Sequence, residues 1–116
     1  MHENFFHKLK VYYEDTDSGG VVYHSKYLNF AERARTELLR EYNLAQSTIE
    51  KKYGLIFVVN SLSVDYLGLA CLDDCLNIQT NISKLNKVKV IFSQLIYKKK
   101  DLVAKLQVTV CCLNKK

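Results

Sequence analysis

The chain has 116 residues, 48% of them hydrophobic, 11% aromatic and 25% charged, and a formal net charge of +5. That length supports one hydrophobic core and not two, so residues 1–116 are read as a single domain, and no apolar run approaches the ~20 residues of a membrane-spanning helix. The opening Met1-His2-Glu3-Asn4 lacks the basic and then apolar profile of a secretory signal, and a cytoplasmic protein is expected.

Residues 5–13 alternate, with Phe5, His7, Leu9, Val11 and Tyr13 on one side and Phe6, Lys8, Lys10 and Tyr12 on the other, which predicts a first strand. His7 lies in the mainly apolar row and is read as structural. An acidic loop follows, Glu14-Asp15-Thr16-Asp17-Ser18-Gly19-Gly20, and its residues allow two readings. In one, Asp17 and Ser18 make turn hydrogen bonds while Gly19 and Gly20 supply positive φ angles. In the other, the glycines let a ligand approach the backbone and Asp17 faces it. The Asp15-x-Asp17 pair hints at Mg²⁺ or Ca²⁺, but the further oxygen ligands at regular spacing are missing, and no metal is assigned.

The longest helical pattern covers residues 25–42. Tyr27, Phe30, Ala31, Ala34, Leu38 and Tyr42 recur at i, i+3 and i+4 and predict one buried stripe. Small Ala31 and Ala34 let a sheet pack close. Arg33 and Glu37 are spaced for a surface pair, and Ser25 is the expected N-cap. The unbonded N–H groups of the first turn favour a negative oxygen beside His24 and Ser25. A second, short helix is predicted over residues 45–52.

From Leu55 the pattern is β. Residues 55–66 make a long strand whose alternation breaks at Asn60 and Ser61, where a bulge or bend is expected. Leu76, Ile78, Thr80 and Ile82 share a face, residues 84–87 turn, and Val88, Val90, Phe92 and Ile96 share a face of the next strand. Residues 98–101 turn again into a last strand with Leu102, Ala104, Leu106, Val108, Val110 and Cys112 in register. These elements give an α+β layer of helix on antiparallel sheet. One helix covers one face only, and the other carries Ile91, Leu95, Tyr97 and Val103, so a homo-oligomer is expected.

Cys71, Cys75, Cys111 and Cys112 form no C-x-x-C pair, and adjacent Cys111 and Cys112 point to opposite faces of a strand, so free thiols are expected rather than disulfides or zinc ligands. Charge is uneven. Residues 1–75 carry 8 basic and 11 acidic side chains, a net of −3, and residues 76–116 carry 9 lysines and one acid, a net of +8. A solvated sheet face that resists edge pairing explains this, as does a surface that attracts phosphates.

The run Tyr13-Glu14-Asp15-Thr16-Asp17-Ser18-Gly19-Gly20-Val21-Val22-Tyr23-His24, followed by Tyr27-Leu28 and Glu32-Arg33-Ala34-Arg35, resembles the signature of YbgC-type acyl-CoA thioesterases, in the 4-hydroxybenzoyl-CoA thioesterase branch of the hotdog fold. The likeness continues more weakly through Val64-Asp65-Tyr66, Leu72-Asp73-Asp74 and Val110-Cys111-Cys112-Leu113. The family usually has a proline where Leu69 stands, and this chain has none. The resemblance implies a five-stranded antiparallel sheet wrapped around one long central helix, and hydrolysis of acyl-CoA to free acid and CoA without a cofactor. It implies Asp17 as nucleophile or general base, backbone N–H groups near His24 as the oxyanion site, and a hydrogen bond or proton transfer from the His24 imidazole. Tyr13, Asp15, Gly20 and Tyr23 would support the loop or line the pocket, and Glu32 would orient the loop from behind. Lys84, Lys87 and Lys89 are candidates for the CoA phosphates. Implied partners are acyl-CoA, acyl carrier protein as a second acyl donor, and further copies of the chain as a dimer of dimers. A hotdog dehydratase would want a His and acid pair placed differently on the helix. A binding module for RNA or an acyl carrier, using the lysine-rich sheet, is the alternative of another class. The sheet lacks a row of stacking aromatics with glycine-rich motifs, and nucleic acid is not expected.

Overall fold

The computed structural model describes residues 4–114. Residues 1–3, which bear on the targeting signal, and the lysines 115 and 116 counted in the charge lie outside them. The strands are β1 (Phe5–Lys10), β2 (Leu55–Tyr66), β3 (Cys75–Leu85), β4 (Lys89–Lys98) and β5 (Asp101–Asn114), and the helices are α1 (Lys26–Glu41) and α2 (Gln46–Tyr53). They build one antiparallel sheet in the order β1-β3-β4-β5-β2. Two helices accompany it, so the picture of a sheet around a single helix needs correcting: α1 packs on β1, β3 and β4, while α2 packs on β2.

The core lies between α1 and the inner sheet face. Phe30, Ala31 and Ala34 of α1 are fully buried, as are Ile78, Ile96, Ala104 and Val108 of the sheet. A stripe of small residues under Phe30 lets the helix axis approach the strands, and burying each large apolar side chain contributes about 1.5–3 kcal/mol. Arg35 also lies in the stripe, one turn after Ala31, and is buried. Its period matched the core face all along, and only its charge hid it. Tyr42 was expected in the stripe and is 43% exposed. The helix has ended by then: Asn43 takes φ 61° and Leu44 N–H bonds the Leu39 carbonyl at 2.7 Å, turning the chain away. Glu37 bonds Arg40 at 3.0 Å rather than Arg33, a pairing at i, i+3. Ser25 holds the N-cap position, but its hydroxyl makes no capping bond.

The first strand stops at Lys10, three residues short of expectation. Beyond it the Val11 amide bonds the Asp74 carbonyl and residues Tyr13–Asp15 form a single 3₁₀ turn, which leaves Tyr13 exposed. The bulge falls at Asn60, where the β2–β5 register shifts between Val59 and Ser61. The β3–β4 turn begins two residues and ends one residue later than predicted, because the Asn86 side chain accepts from the Val88 and Lys89 amides at 3.0 and 2.9 Å. Val103, expected on the open face, is buried: Leu67 and Gly68 fold over it and both amides bond its carbonyl. All four cysteines are free. Among the described residues no helix is long and apolar enough to cross a membrane.

These packing differences are measurable. Phe30→Ala is expected to lower unfolding free energy by about 3–5 kcal/mol in urea titration, against under about 0.5 kcal/mol for Tyr42→Ala.

Candidate active site

The acidic loop is irregular in outline but closely bonded. Asp15 is its only buried acid, and its Oδ2 accepts from the Tyr12 amide at 2.9 Å. The Asp15 carbonyl accepts from the Tyr23 amide at 3.0 Å, tying the entry of the loop to its exit. The Asp17 amide bonds the Val21 carbonyl at 2.9 Å, the Gly20 amide bonds the Asp17 carbonyl at 3.1 Å, and Thr16 bridges to Val22. Gly20 takes φ 80°, the left-handed conformation that glycine tolerates best. Gly19 is not at positive φ. It serves otherwise, its amide donating to Asp17 Oδ1 at 2.8 Å.

The turn reading of Asp17 matches one hydrogen bond. One carboxylate oxygen closes the turn, and the other, Oδ2, makes no hydrogen bond among the described residues, on a side chain that is exposed. A carboxylate pinned through one oxygen has its second oxygen aimed by the backbone rather than by a freely rotating χ angle.

From Val21 the chain runs past residues 70–74. The Val22 amide bonds the Ala70 carbonyl at 2.8 Å, the Leu72 amide bonds the Gly20 carbonyl at 3.1 Å, and Val21 bridges to Cys71. The Cys71 amide donates to Asp74 Oδ2 at 2.7 Å, and Lys98 Nζ lies 3.3 Å from the same oxygen. At the helix start the Tyr66 hydroxyl donates to the His24 carbonyl at 3.0 Å, and buried Tyr27 accepts from the Ala70 amide at 3.1 Å. Burial pushes the Tyr27 phenol pKa up, so it stays a neutral hydroxyl. The His24 ring lies 4.4 Å from Tyr23 and 6.3 Å from Tyr66 between ring centres. Among the described residues the amides of His24 and Ser25 have no acceptor, whereas that of Lys26 bonds the Tyr23 carbonyl. Two free donors thus open at the positive end of a 16-residue helix.

Asp17, Gly20, Tyr23 and His24 all lie on the run from this loop to the helix start, where the Gly20 amide bonds the Asp17 carbonyl and the Tyr23 and His24 rings lie 4.4 Å apart. Tyr13 is on the loop but exposed, and Glu32 faces Thr36, whose hydroxyl donates to it at 2.8 Å. Lys84, Lys87 and Lys89 are not brought here within one protomer. They flank the β3–β4 turn, about 30 Å along β3 from its Cys75 end, where the loop sits. Lys98, paired with Asp74, and Lys100 border a groove of about 450 Å³ with Leu67, Gly68 and Leu69. Tyr66 and Ala70 are bracing residues whose part could not be read from spacing, since the pairing that delivers them is long-range. Among the described residues no three His, Cys, Asp or Glu side chains converge on a metal-sized site.

Residues 11–116 match the thioesterase-like superfamily. An acyl-CoA thioesterase YbgC of Haemophilus influenzae is 42% identical over 114 residues, covering 98% of this chain and 84% of the relative. The chain belongs to the YbgC-type thioesterase family. A Helicobacter pylori YbgC acyl-CoA thioesterase is 43% identical over 78% of this chain and 65% of its own. A probable thioesterase from Bartonella henselae superposes with a TM-score of 0.93 at 30% identity, over 97% of this chain and 94% of that one. Family membership makes the architecture a hotdog thioesterase fold, with the loop described above at the head of its main helix.

The loop's dependence on Asp15 has a direct test. Asp15→Ala removes the acceptor for the Tyr12 amide, and is expected to cost about 1–2 kcal/mol in denaturant titration. Glu14→Ala, one residue away and exposed, is expected to cost under about 0.5 kcal/mol.

Proposed function

We propose that this protein hydrolyses the thioester of acyl-CoA to a free acid and CoA, with Asp17 as the attacking or proton-accepting carboxylate. The observation that carries the proposal is an exposed, half-tethered carboxylate on the loop that leads, seven residues on, into two unbonded amides at the start of α1. The names of the relatives support the substrate class.

The chemistry suits these groups. A carbonyl oxygen on the His24 and Ser25 amides gains stabilisation as it becomes an oxyanion, where fixed donors act most strongly. As general base, Asp17 takes a proton from water while the new hydroxide bonds to the acyl carbon. Collapse of the adduct breaks the C–S bond, and the proton held on Asp17 passes to the departing thiolate. As nucleophile, Asp17 bonds to the acyl carbon directly, releases the thiolate and leaves a mixed anhydride that water cleaves. Both routes end in carboxylic acid and thiol, and both need Oδ2 to face the carbonyl. The His24 imidazole, exposed beside its own amide, serves as a hydrogen-bond donor to the same oxygen.

The site is completed by a second copy. β2 is an edge strand, and Val59 and Leu62 on it are 47% and 41% exposed. Antiparallel pairing of β2 with the same strand of a second copy satisfies the open edge and covers these side chains. It sets the Leu55 end of one copy beside the Tyr66 end of the other. Lys89 pairs with Cys111 and Leu55 with Asn114, so the Lys84, Lys87 and Lys89 turn belongs to the Leu55 end. The lysines of one copy then stand at the Asp17 end of its partner, placed for CoA phosphates. The half-buried outer row Ile91, Leu95 and Tyr97 offers the contact for a dimer of dimers. Acyl carrier protein, which presents the same thioester, is a second donor for this site.

Two measurements test this reading. Asp17→Asn keeps the Gly19 bond and is expected to lower kcat for acyl-CoA by at least about 100-fold with unchanged thermal stability. Undiminished thiol release would remove Asp17 from the chemistry. Leu62→Lys is expected to shift the assembly to a smaller species by light scattering and to lower activity with it. Unchanged mass would rule out the β2 edge as the interface.

A further inference from the structure

The core face of the sheet contains a charge that the Asp17 site does not use. Arg35 keeps 8% of its surface, and its Nη1 donates to Gln94 Oε1 at 3.0 Å. The Gln94 amide nitrogen donates to the Ala31 carbonyl and to Thr80 Oγ1, each at 2.9 Å. Both amide hydrogens being committed, Gln94 can turn only its oxygen to the guanidinium. Arg35 thus has one acceptor, and a neutral one. Among the described residues no carboxylate pairs with it, and none accepts from its Nε or Nη2. Burial pushes its pKa below the ordinary value, with Glu32 opposing that at a distance. A guanidinium nonetheless stays protonated, so this is a largely buried cation without a paired carboxylate, and its unbonded nitrogens are not sealed in the core.

The side chain opens on a cleft. Its deep end, about 30 Å³, is walled by Leu39, Gln46, Phe57, Val90, Phe92 and Val110 beside Arg35. Leu39, Phe57 and Val90 also border a groove of about 230 Å³, which continues past Leu44, Ile82, Leu85 and Val88. Lys87 and Lys89 stand on the same groove. This is the end of the sheet remote from Asp17. Arg35 lies ten residues into the helix from Ser25, a rise of about 15 Å.

We propose that this cleft binds a carboxylate borne on an apolar chain, the carboxylate on Arg35 and the chain along the groove. The dimensions and chemistry match. A deep end of this size holds roughly two water-sized groups, the two oxygens of one carboxylate. A guanidinium presents parallel N–H donors that match those oxygens, and Lys cannot reproduce that fork. The walls beyond are apolar and suit a short alkyl or aromatic body. Such a ligand has two sources: a free carboxylic acid, which the proposed hydrolysis produces, or the far carboxylate of a dicarboxylic acyl group whose thioester lies at the Asp17 of a second copy.

The test reads binding without turnover, so its outcome is separate from that of the Asp17 proposal. Purified protein is titrated with hexanoate and, as neutral control, hexan-1-ol, followed by calorimetry and NMR. Hexanoate is expected to bind saturably, with hexanol at least about tenfold weaker and Arg35→Met weakening hexanoate by a similar factor. Leu39→Trp keeps the charge but fills the junction of deep end and groove. It is expected to abolish hexanoate binding and decides the matter if Arg35→Met does not fold. No saturation by about 10 mM hexanoate, equal binding of the alcohol, or binding that survives the substitutions overturns the proposal. Rates with hexanedioyl-CoA and hexanoyl-CoA then separate the sources. A selective fall for hexanedioyl-CoA in Arg35→Met identifies the substrate's own far carboxylate, and parallel rates identify the free acid.

Discussion

The peptide that enters α1 is held from two directions, and the geometry of the whole loop follows from that. On one side the Asp15 carbonyl takes the Tyr23 amide, and on the other the Ala70 carbonyl takes the Val22 amide. The Tyr66 hydroxyl then fixes the His24 carbonyl. With its carbonyl committed, the peptide following His24 is fixed in orientation, and its Ser25 amide keeps no acceptor among the described residues. The loop has almost no regular secondary structure, yet its backbone groups are largely accounted for. The proposed catalysis by position needs this, because a carboxylate and a helix start that moved independently would lose most of their joint effect.

The sheet supplies the second constraint. Ala31 and Ala34 seat α1 close against β3 and β4, so the helix start is as rigid as the core beneath it. The cost of this close packing is that the polar groups caught under the helix must satisfy each other. Gln94 does so by giving both amide hydrogens to Thr80 and Ala31 and its oxygen to Arg35. The same sheet leaves β2 as a long edge with apolar side chains exposed. A protomer in isolation is thus finished at its core and unfinished at one edge. The proposed pairing through β2 closes that edge and brings the basic turn of one copy to the acidic loop of the other.

Much of the fold was legible because its signals are local. Alternation over residues 76–83 and 102–112, the apolar stripe of α1, and the break at Asn60 each follow from a period within a few residues of chain. The errors arose where a distant residue intervened. The first strand ended early because Asp74 and the Asp15 side chain claim the backbone beyond Lys10. Val103 was covered by Leu67 and Gly68, which alternation in β5 cannot foresee. Tyr42 followed the helical period past the point where Asn43 ended the helix. At the site, the family resemblance singled out Asp17 and His24 as candidates, whereas the bracing parts of Tyr66 and Ala70 depend on long-range pairing that no local period carries. Arg35 is the instructive miss, since its period placed it in the core and its charge argued otherwise.

The central proposal is that one thioester carbonyl meets Asp17 and the start of α1 together. The most direct measurement is a crystal structure with a non-hydrolysable acyl-CoA analogue in which a methylene replaces the thioester sulfur. The expected result places the carbonyl oxygen about 3 Å from the His24 or Ser25 amide nitrogen, with its carbon facing Asp17 Oδ2. A carbonyl bound away from both groups, with the amides still unbonded, would contradict it.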